Sequence, residues 1–288
     1  MVLKMGVIQQ EESRSFEKDL CQQFVEQARL NNDPVHYGRA LAMQGETLAR
    51  QGYFEEALET LDVIKSIYDI ESQHASICNS YGSDRVGQAF AHSVNWNQAL
   101  GRTEAALATC KYIVEELVPK SDPKNVHNTM CLLYSVMVAM KDNGMALEVR
   151  DVILTRVVAP FNEYFGSGGG TPTKELWKPI LMLLDLQGNQ DKAIDNIDEY
   201  MEWARDEKNM IIKPAVLETA FGAYAITPTS IVGEICYYLG RRCESVERRD
   251  VLFSSAISFM EKAVSNSEQI PYANMYAVRK LQEMKENM

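Results

Sequence analysis

The sequence lacks the features that mark several classes of protein. No apolar run approaches the roughly 20 residues that a membrane-spanning helix requires. The phosphate-binding pattern G-x-x-x-x-G-K-S/T occurs nowhere, so nucleotide hydrolysis is not expected of this chain. The opening residues MVLKMGVIQQEES are too short and too polar for a secretory signal peptide. We therefore predict a cytoplasmic protein that does not enter the membrane.

Basic residues are scarce beside acidic ones. The 288 residues include 29 Lys and Arg against 40 Asp and Glu, which gives a net charge of -11 at pH 7. Nucleic acids and anionic lipid surfaces bind clustered basic faces, so we expect neither as a partner. The six cysteines follow no disulfide-framework spacing and predict free thiols in a reducing compartment. At 46% hydrophobic, the chain has enough apolar material for a core.

The stretch QGYFEEALETL, which begins at Gln51, has the pattern of a turn between two antiparallel helices. Gly52 has no Cβ, so it can adopt the left-handed conformation that ends a helix. Glu55 and Glu56 would lie in the first turn of the next helix, where the helix dipole favours negative charge. Ala57 is small enough to let the two helices pack closely. The pattern predicts a helical hairpin.

Similar corners recur along the chain. LGRTEAALATC places Gly101 five residues before Ala106, and QGNQDKAIDNI places Gly188 five residues before Ala193. A weaker copy, KDNGMALEV, is centred on Ala146. A hairpin this short cannot bury both of its apolar faces, so copies of it are expected to stack. The recurring hairpins predict an all-α fold.

Breaks between periodic segments divide the chain into helices. The sequence predicts a first helix over about 10–31. The Gly-rich FGSGGGTPT predicts a linker over 165–173, between N-terminal repeats in 1–164 and C-terminal repeats in 174–288, within one continuous array. The predicted helical pairs are 36–51 with 54–69, 84–99 with 103–118, 124–141 with 144–158, 174–186 with 190–207, and 229–241 with 247–265, followed by a capping helix over 272–287.

The corners and the helices before them resemble the tetratricopeptide repeat. In ELWKPILMLLDLQG, the residues Trp177, Ile180, Leu181 and Leu184 precede Gly188 and match the family's Trp, Leu, Gly and Tyr pattern in three of four size classes. The corners recur at intervals of about 40 to 50 residues, which exceeds the family's 34. The resemblance implies a right-handed α-solenoid of tetratricopeptide-like helical hairpins with a C-terminal capping helix.

A further set of matching positions lies within 68–107: Tyr68, His74, Tyr81, Gly82, Asp84, Gly87, Ala89, Trp96, Leu100, Gly101 and Ala106. On these positions the segment is similar to the helical-repeat region at the C-terminal end of multidomain signalling ATPases, some of which carry a class III cyclase domain. In those proteins the array follows a nucleotide-binding module, whose phosphate loop is absent from this sequence. The resemblance implies one possible function, a sensor or regulatory arm of a signalling ATPase or nucleotide cyclase.

In the tetratricopeptide family, the first helix of each pair lines the concave side, where partners usually dock. The acidic residues that this register places there, Glu46, Glu175 and Asp185, favour a neutral to basic partner. Met43 and His92 stand where the chaperone-tail-binding version of the repeat carries Asn, so that ligand is not expected. The candidate partner-binding residues are Arg39, Glu46, Gln88, Asn95, Gln98, Asn128, Ser135, Lys178, Met182 and Asp185.

Other local patterns suggest chemistry, but each has a structural interpretation that we prefer. GSGGG lacks the Lys and hydroxyl that hold a phosphate. His74 with Cys78, and His127 with Cys131, could chelate zinc from one helix face, but the two pairs lie in different repeats. No Ser-His-Asp or Cys-His arrangement has local sequence support. We predict no catalytic residue, no metal and no cofactor.

The preferred function from the sequence is therefore a non-catalytic protein–protein interaction scaffold. Its partner would be a peptide or helical segment, bound in the concave face of the array. The alternative is the sensor or regulatory arm of a signalling ATPase or nucleotide cyclase, in which catalysis belongs to other domains.

Overall fold

The computed structural model describes residues 2–81, 84–121, 126–159, 172–188, 228–267 and 271–288. Every element in these ranges is helical and none is a strand, so the all-α prediction is confirmed. The chain divides into two compact units, Met1–Asp122 and Pro123–Met288. The predicted linker lies mostly outside the described residues, and the division of the chain at that linker stays a prediction.

The first unit is built from helices that pack on their neighbours in the chain. Helix α1 packs on α2, α2 packs on α3, and α5 contacts α2, α3 and α6. One π-helical segment, Ile70–His74, precedes α4, and another, Ile113–Leu117, joins α6 to α7. The helices are α1 (Val2–Leu30), α2 (Pro34–Arg50), α3 (Phe54–Ile67), α4 (Ala75–Tyr81), α5 (Arg85–Ala99), α6 (Thr103–Tyr112) and α7 (Val118–Lys120).

In the second unit, consecutive described helices also pack on one another. Helix α8 packs on α9, α9 on α10, α10 on α11, α11 on α12, and α12 on α13. A π-helical segment, Leu154–Val158, extends α9, and the predicted helix over 190–207 lies outside the described residues. The helices are α8 (Val126–Asp142), α9 (Ala146–Ile153), α10 (Pro172–Gly188), α11 (Pro228–Arg242), α12 (Val246–Asn266) and α13 (Pro271–Asn287).

Two aspartates set where the helices of the first unit begin. Asp33 Oδ1 accepts a hydrogen bond from the backbone N–H of Val35 at 2.9 Å, which caps α2. Asp84 Oδ1 accepts from the backbone N–H of Val86 at 2.9 Å, which caps α5 in the same way. Each carboxylate satisfies one of the amide groups that a helix N-terminus leaves without an intrahelical partner.

The predicted corners at Gly52 and Gly101 are confirmed. Both glycines have a left-handed backbone, with φ of 88° and 71°. At the first corner, the N–H of Tyr53 donates to the Leu48 carbonyl at 2.9 Å, which is the bond that closes a Schellman motif. Ala57 and Ala106, which lie five residues after these two glycines, are completely buried. The small side chain therefore lies at a close helix contact, as the sequence predicts.

The third and fourth corners differ from their predicted register. Gly144 has φ of 79° and lies two residues before α9, just as Gly52 lies two residues before α3. Val149, five residues after Gly144, therefore occupies the position of the buried alanine. The sequence predicts Ala146 for that position. Gly188 is still helical, as the last residue of α10. A Cβ at Gly188 would lie 2.8 Å from Leu147, so the glycine permits a close approach of α9. The alanine predicted after it, at 193, lies outside the described residues.

A buried polar cluster joins three helices of the second unit. Lys141 Nζ lies 2.7 Å from Glu234 Oε2 and donates to the Tyr276 hydroxyl at 2.9 Å, and that hydroxyl donates to Glu234 Oε1 at 2.5 Å. Asp142 adds a second carboxylate, 3.0 Å from Lys141 Nζ. Burial acts to raise the pKa of Asp142, but Lys141 and the cations of α13 outweigh it and hold that pKa below its ordinary 3.8. The cluster therefore ties α8, α11 and α13 together.

Candidate functional site

The described part of the predicted binding face is centred on Glu46. This side chain lies on α2, opposite α5, and only 6% of the residue is exposed. Its Oε2 is 3.4 Å from an Nη atom of Arg85, and its Oε1 is 4.0 Å from Nε2 of His92. Within the described ranges, no donor lies within hydrogen-bond distance of the buried Oε1. An unpaired buried acceptor is costly, so a donor that came within reach of this oxygen would remove that cost. Because the oxygen is buried, a donor from outside the chain reaches it only when a side chain at the rim, such as the half-exposed Arg85, moves aside.

Helix geometry brings the polar side chains around Glu46 together. Residues three, four and seven apart share one side of a helix, and this spacing relates Glu46 to Arg39 and Arg50 on α2. The same spacing relates Arg85, Gln88, His92 and Asn95 on α5, a helix that contacts α2. Arg85 is nearly half exposed and lies at the rim. We call this surface the α2–α5 face: Arg39, Glu46, Arg50, Arg85, Gln88, His92 and Asn95.

The structure places five of the predicted binding residues in the first unit. Gln88 and Asn95 are buried beside α2, and Arg39 and Gln98 are half-buried. The sequence interpretation missed Arg85, which binds Glu46. Extending the α5 register by one turn towards its N-terminus, from Gln88, would have found it.

The other five predicted residues belong to the second unit. Ser135 and Met182 are buried there. Asp185 lies 2.5 Å from Arg150 Nε, so an arginine of the same chain already binds this carboxylate. Asn128 and Lys178 lie on α8 and α10, but their side chains fall outside the described part of the structure. No common site for these five residues emerges within the described ranges.

Burial shifts two ionisable groups of the α2–α5 face in ways that favour their neutral forms. Burial raises the pKa of Glu46 above its ordinary 4.5, although the charges of Arg85 and Arg50 act against it. Burial, followed by the charge of Arg85, lowers the pKa of His92 to about 4. His92 is therefore a neutral imidazole at pH 7, and ionised Glu46 carries a desolvation cost.

We expect Glu46→Gln to raise the melting temperature near neutral pH. Burial raises the pKa of Glu46 in the folded state above its unfolded value, so ionisation of Glu46 lowers the free energy of unfolding at pH values above the folded-state pKa. That free energy is recovered as the pH falls through the folded-state pKa. In the Glu46→Gln variant, the Arg85 guanidinium loses its charged partner, but Arg85 is nearly half exposed, so water can solvate it. The advantage of the variant should shrink as pH falls towards 4.5. Thermal melts followed by circular dichroism, with the exposed Glu59→Gln as control, would contradict this if Glu46→Gln melted lower at neutral pH.

A second polar group of the first unit has the geometry of a proton relay. His74 Nδ1 lies 2.6 Å from Asp84 Oδ2, and His74 Nε2 lies 3.0 Å from Ser121 Oγ. The Tyr68 hydroxyl donates to the same Asp84 oxygen at 2.6 Å. Sequence reasoning singled out His74 with Cys78 as a zinc alternative. It missed Ser121, which lies 47 residues away in the chain. We call these four residues the His74 network.

The His74 network has the side-chain types of a Ser-His-Asp triad, but it is closed to substrates in this structure. His74 and Asp84 are completely buried, and Ser121 is 7% exposed. The Ser121 hydroxyl also lies 3.0 Å from the Leu117 carbonyl, which competes with His74 for its single proton. A nucleophile must be able to contact a substrate and transfer that proton to the base. We interpret the network as a polar part of the core that satisfies its own buried groups.

The described residues contain neither a cluster of metal ligands nor a membrane-spanning helix. Within the described ranges, no group of three or more His, Cys, Asp or Glu side chains is placed to hold a metal ion. No helix in the part of the chain that the structure describes is long and apolar enough to cross a membrane. Comparison of the chain with protein-family profiles, curated proteins and solved structures gives no match. The evidence for a role of the α2–α5 face therefore lies in the burial and charges of its own residues.

Proposed function

We propose that the protein is a non-catalytic interaction scaffold and that its α2–α5 face binds a peptide or a helical segment of another protein. The observation that carries this proposal is Glu46 Oε1, a buried carboxylate oxygen with no hydrogen-bond donor among the described residues. A partner whose N–H group reaches this oxygen, once the rim side chain of Arg85 has moved aside, removes the cost of leaving it unpaired.

The charges around Glu46 indicate what kind of donor the partner offers. The charges of Arg85 and Arg50 act on the Glu46 carboxylate, and Arg85 lies 3.4 Å from it, so a cationic group of a partner would compete with Arg85 for Glu46 and be repelled by it. A neutral donor, such as a side-chain amide or a backbone N–H, meets Glu46 without that repulsion. This partner is at the neutral end of the neutral-to-basic range expected from the sequence.

The arrangement of the hairpins is the second part of the proposal. We propose that the paired helices are tetratricopeptide-like and stack as a right-handed α-solenoid, in which α2 and α5 are the first helices of successive pairs. The left-handed glycines at 52 and 101 support this assignment, because each one joins two helices that pack together. In such an array, first helices line the surface where partners dock.

Peptide selection with the full chain tests the proposed function. A random peptide library should yield sequences that bind the wild-type protein, and Glu46→Met should bind them about tenfold or more weakly, because it removes the acceptor at nearly unchanged volume. The exposed Glu59→Met on α3 is the matched control and should bind as the wild type does. Equal binding by wild type and Glu46→Met, with both proteins folded by circular dichroism, would contradict the proposal.

A further inference from the structure

The second unit contains a cleft that plays no part in the proposed function. It lies between the C-terminal halves of α11 and α13 and has a volume of about 240 Å³. This volume is below the roughly 300–1,000 Å³ of pockets for drug-sized ligands, so it suits a small molecule or one side chain. The cleft is lined by Glu234, Tyr237, Tyr238, Arg241, Lys280, Glu283, Met284 and Asn287.

Most charges in the lining already have partners. Glu234 binds Lys141 at 2.7 Å and accepts from Tyr276 at 2.5 Å. Lys280 lies 3.0 Å from Glu283 and also binds the buried Asp142. These pairs neutralise one another, so they contribute little net attraction for a charged ligand.

Arg241 differs from the other charged groups of the cleft. It is exposed in the last turn of α11, and its guanidinium lies 5.8 Å from the centre of the Tyr237 ring. Among the described residues, no carboxylate lies within ion-pair distance of it. A guanidinium presents a planar fork of N–H donors that fits a carboxylate. Arg241 thus gives the cleft a guanidinium that can bind an anion and that no carboxylate of the described residues occupies.

The rest of the lining suits an apolar body beside that anion. Tyr237 is 8% exposed and Met284 is 2% exposed, so both side chains are held in place by packing. The Tyr238 hydroxyl accepts a hydrogen bond from Gln187 Nε2 at 2.9 Å, which leaves its own proton for donation. The cleft therefore combines a small apolar surface, from the exposed edges of Tyr237 and Met284, with donors from Arg241 and Tyr238.

We propose that this cleft binds a carboxylate attached to a small apolar or aromatic group. Arg241 pairs with the carboxylate, Tyr238 donates a hydrogen bond to it, and the apolar group lies against Tyr237 and Met284. A free organic acid and the C-terminal residue of a peptide present the same chemistry. The experiment distinguishes these two sources.

Isothermal titration of the full chain with 3-phenylpropionate tests the proposal against its neutral analogue, 3-phenylpropionamide. The acid should bind, and the amide should bind about tenfold or more weakly, because it cannot form the charged pair with Arg241. A second pair of probes, acetyl-Ala-Ala-Phe as the free acid and as the amide, reports on the peptide source. Tighter binding by the peptide acid would identify a chain terminus as the ligand, and tighter binding by 3-phenylpropionate would identify a free acid.

Variants locate the binding in the cleft. Arg241→Met should weaken the bound acid about tenfold or more, whereas Arg248→Met, which removes an exposed arginine from α12, should not. Arg241→Lys keeps the charge but loses the fork, so its affinity should fall between those of wild type and Arg241→Met. Absence of binding by both acids, equal binding of acid and amide, or an affinity unchanged in Arg241→Met would each overturn the proposal.

Discussion

Lys141→Met is expected to destabilise the second unit by about 3–5 kcal/mol, because it leaves a buried carboxylate without its cation. The Lys141 and Glu234 side chains are 1% and 2% exposed, and 2.7 Å separates their charged atoms. After the substitution, Tyr276 still donates to Glu234, but one neutral hydroxyl does not balance a buried charge. Faster hydrogen exchange in α11 and α13, together with a lower melting temperature, would measure the loss.

Two further variants distinguish the buried charge from a general effect of substitution. Lys141→Met combined with Glu234→Met should recover much of the lost stability, because no unpaired charge then remains in the core. Lys285→Met removes a half-exposed lysine that lies 3.0 Å from Glu261, and it should cost about 0–1 kcal/mol. Equal losses in Lys141→Met and Lys285→Met would show that the buried pair has no special role.

Asp84→Ala is expected to be the most destabilising substitution in the first unit. It removes the cap of α5, which costs about 1 kcal/mol. It also removes the acceptor that the Tyr68 hydroxyl and His74 share, but these two groups lie 3.1 Å apart and can then bond each other. The loss from the two together is therefore that of one disrupted buried hydrogen bond, about 1–3 kcal/mol. We expect a total loss of about 2–4 kcal/mol from these contributions. Thermal melts and hydrogen exchange in α4 and α5 would measure it.

The first unit provides a matched control for this experiment. Asp33 caps α2 with the same geometry, but it lies at the surface, where its other partner is the exposed His36. Asp33→Ala should therefore cost only about 1 kcal/mol, the value of the cap alone. The difference between the two substitutions measures the His74 network. If both variants lose the same stability, then the network contributes nothing beyond capping.

The helices and their corners could be predicted from the sequence because local chemistry determines them. Gly52 and Gly101 must adopt positive φ to end a helix, and a residue without a Cβ does so without strain. The predicted register was wrong at the third corner, where Ala146 was expected to be the small residue at the contact between the two helices. Val149 holds that position in the structure, completely buried. A β-branched residue there could not be recognised from a pattern that required alanine.

The candidate site was predictable only in part, for a reason that Glu46 illustrates. The repeat register placed Glu46, Gln88 and Asn95 on one face, and the structure brings them to the contact between α2 and α5. The register could not indicate that Arg85 binds Glu46, or that Oε1 lacks a donor among the described residues. Both facts depend on how far each helix is rotated about its axis when it packs.

By itself, the sequence determined the all-α class, the positions of most described helices and the left-handed glycine corners. These follow from periodicity and backbone conformation, which depend on residues within one or two turns. Only the tertiary structure decided which polar groups meet, because Lys141 and Glu234 are 93 residues apart and His74 and Ser121 are 47 apart. Their burial changes their energies, and burial is a property of packed helices that no local stretch of sequence contains.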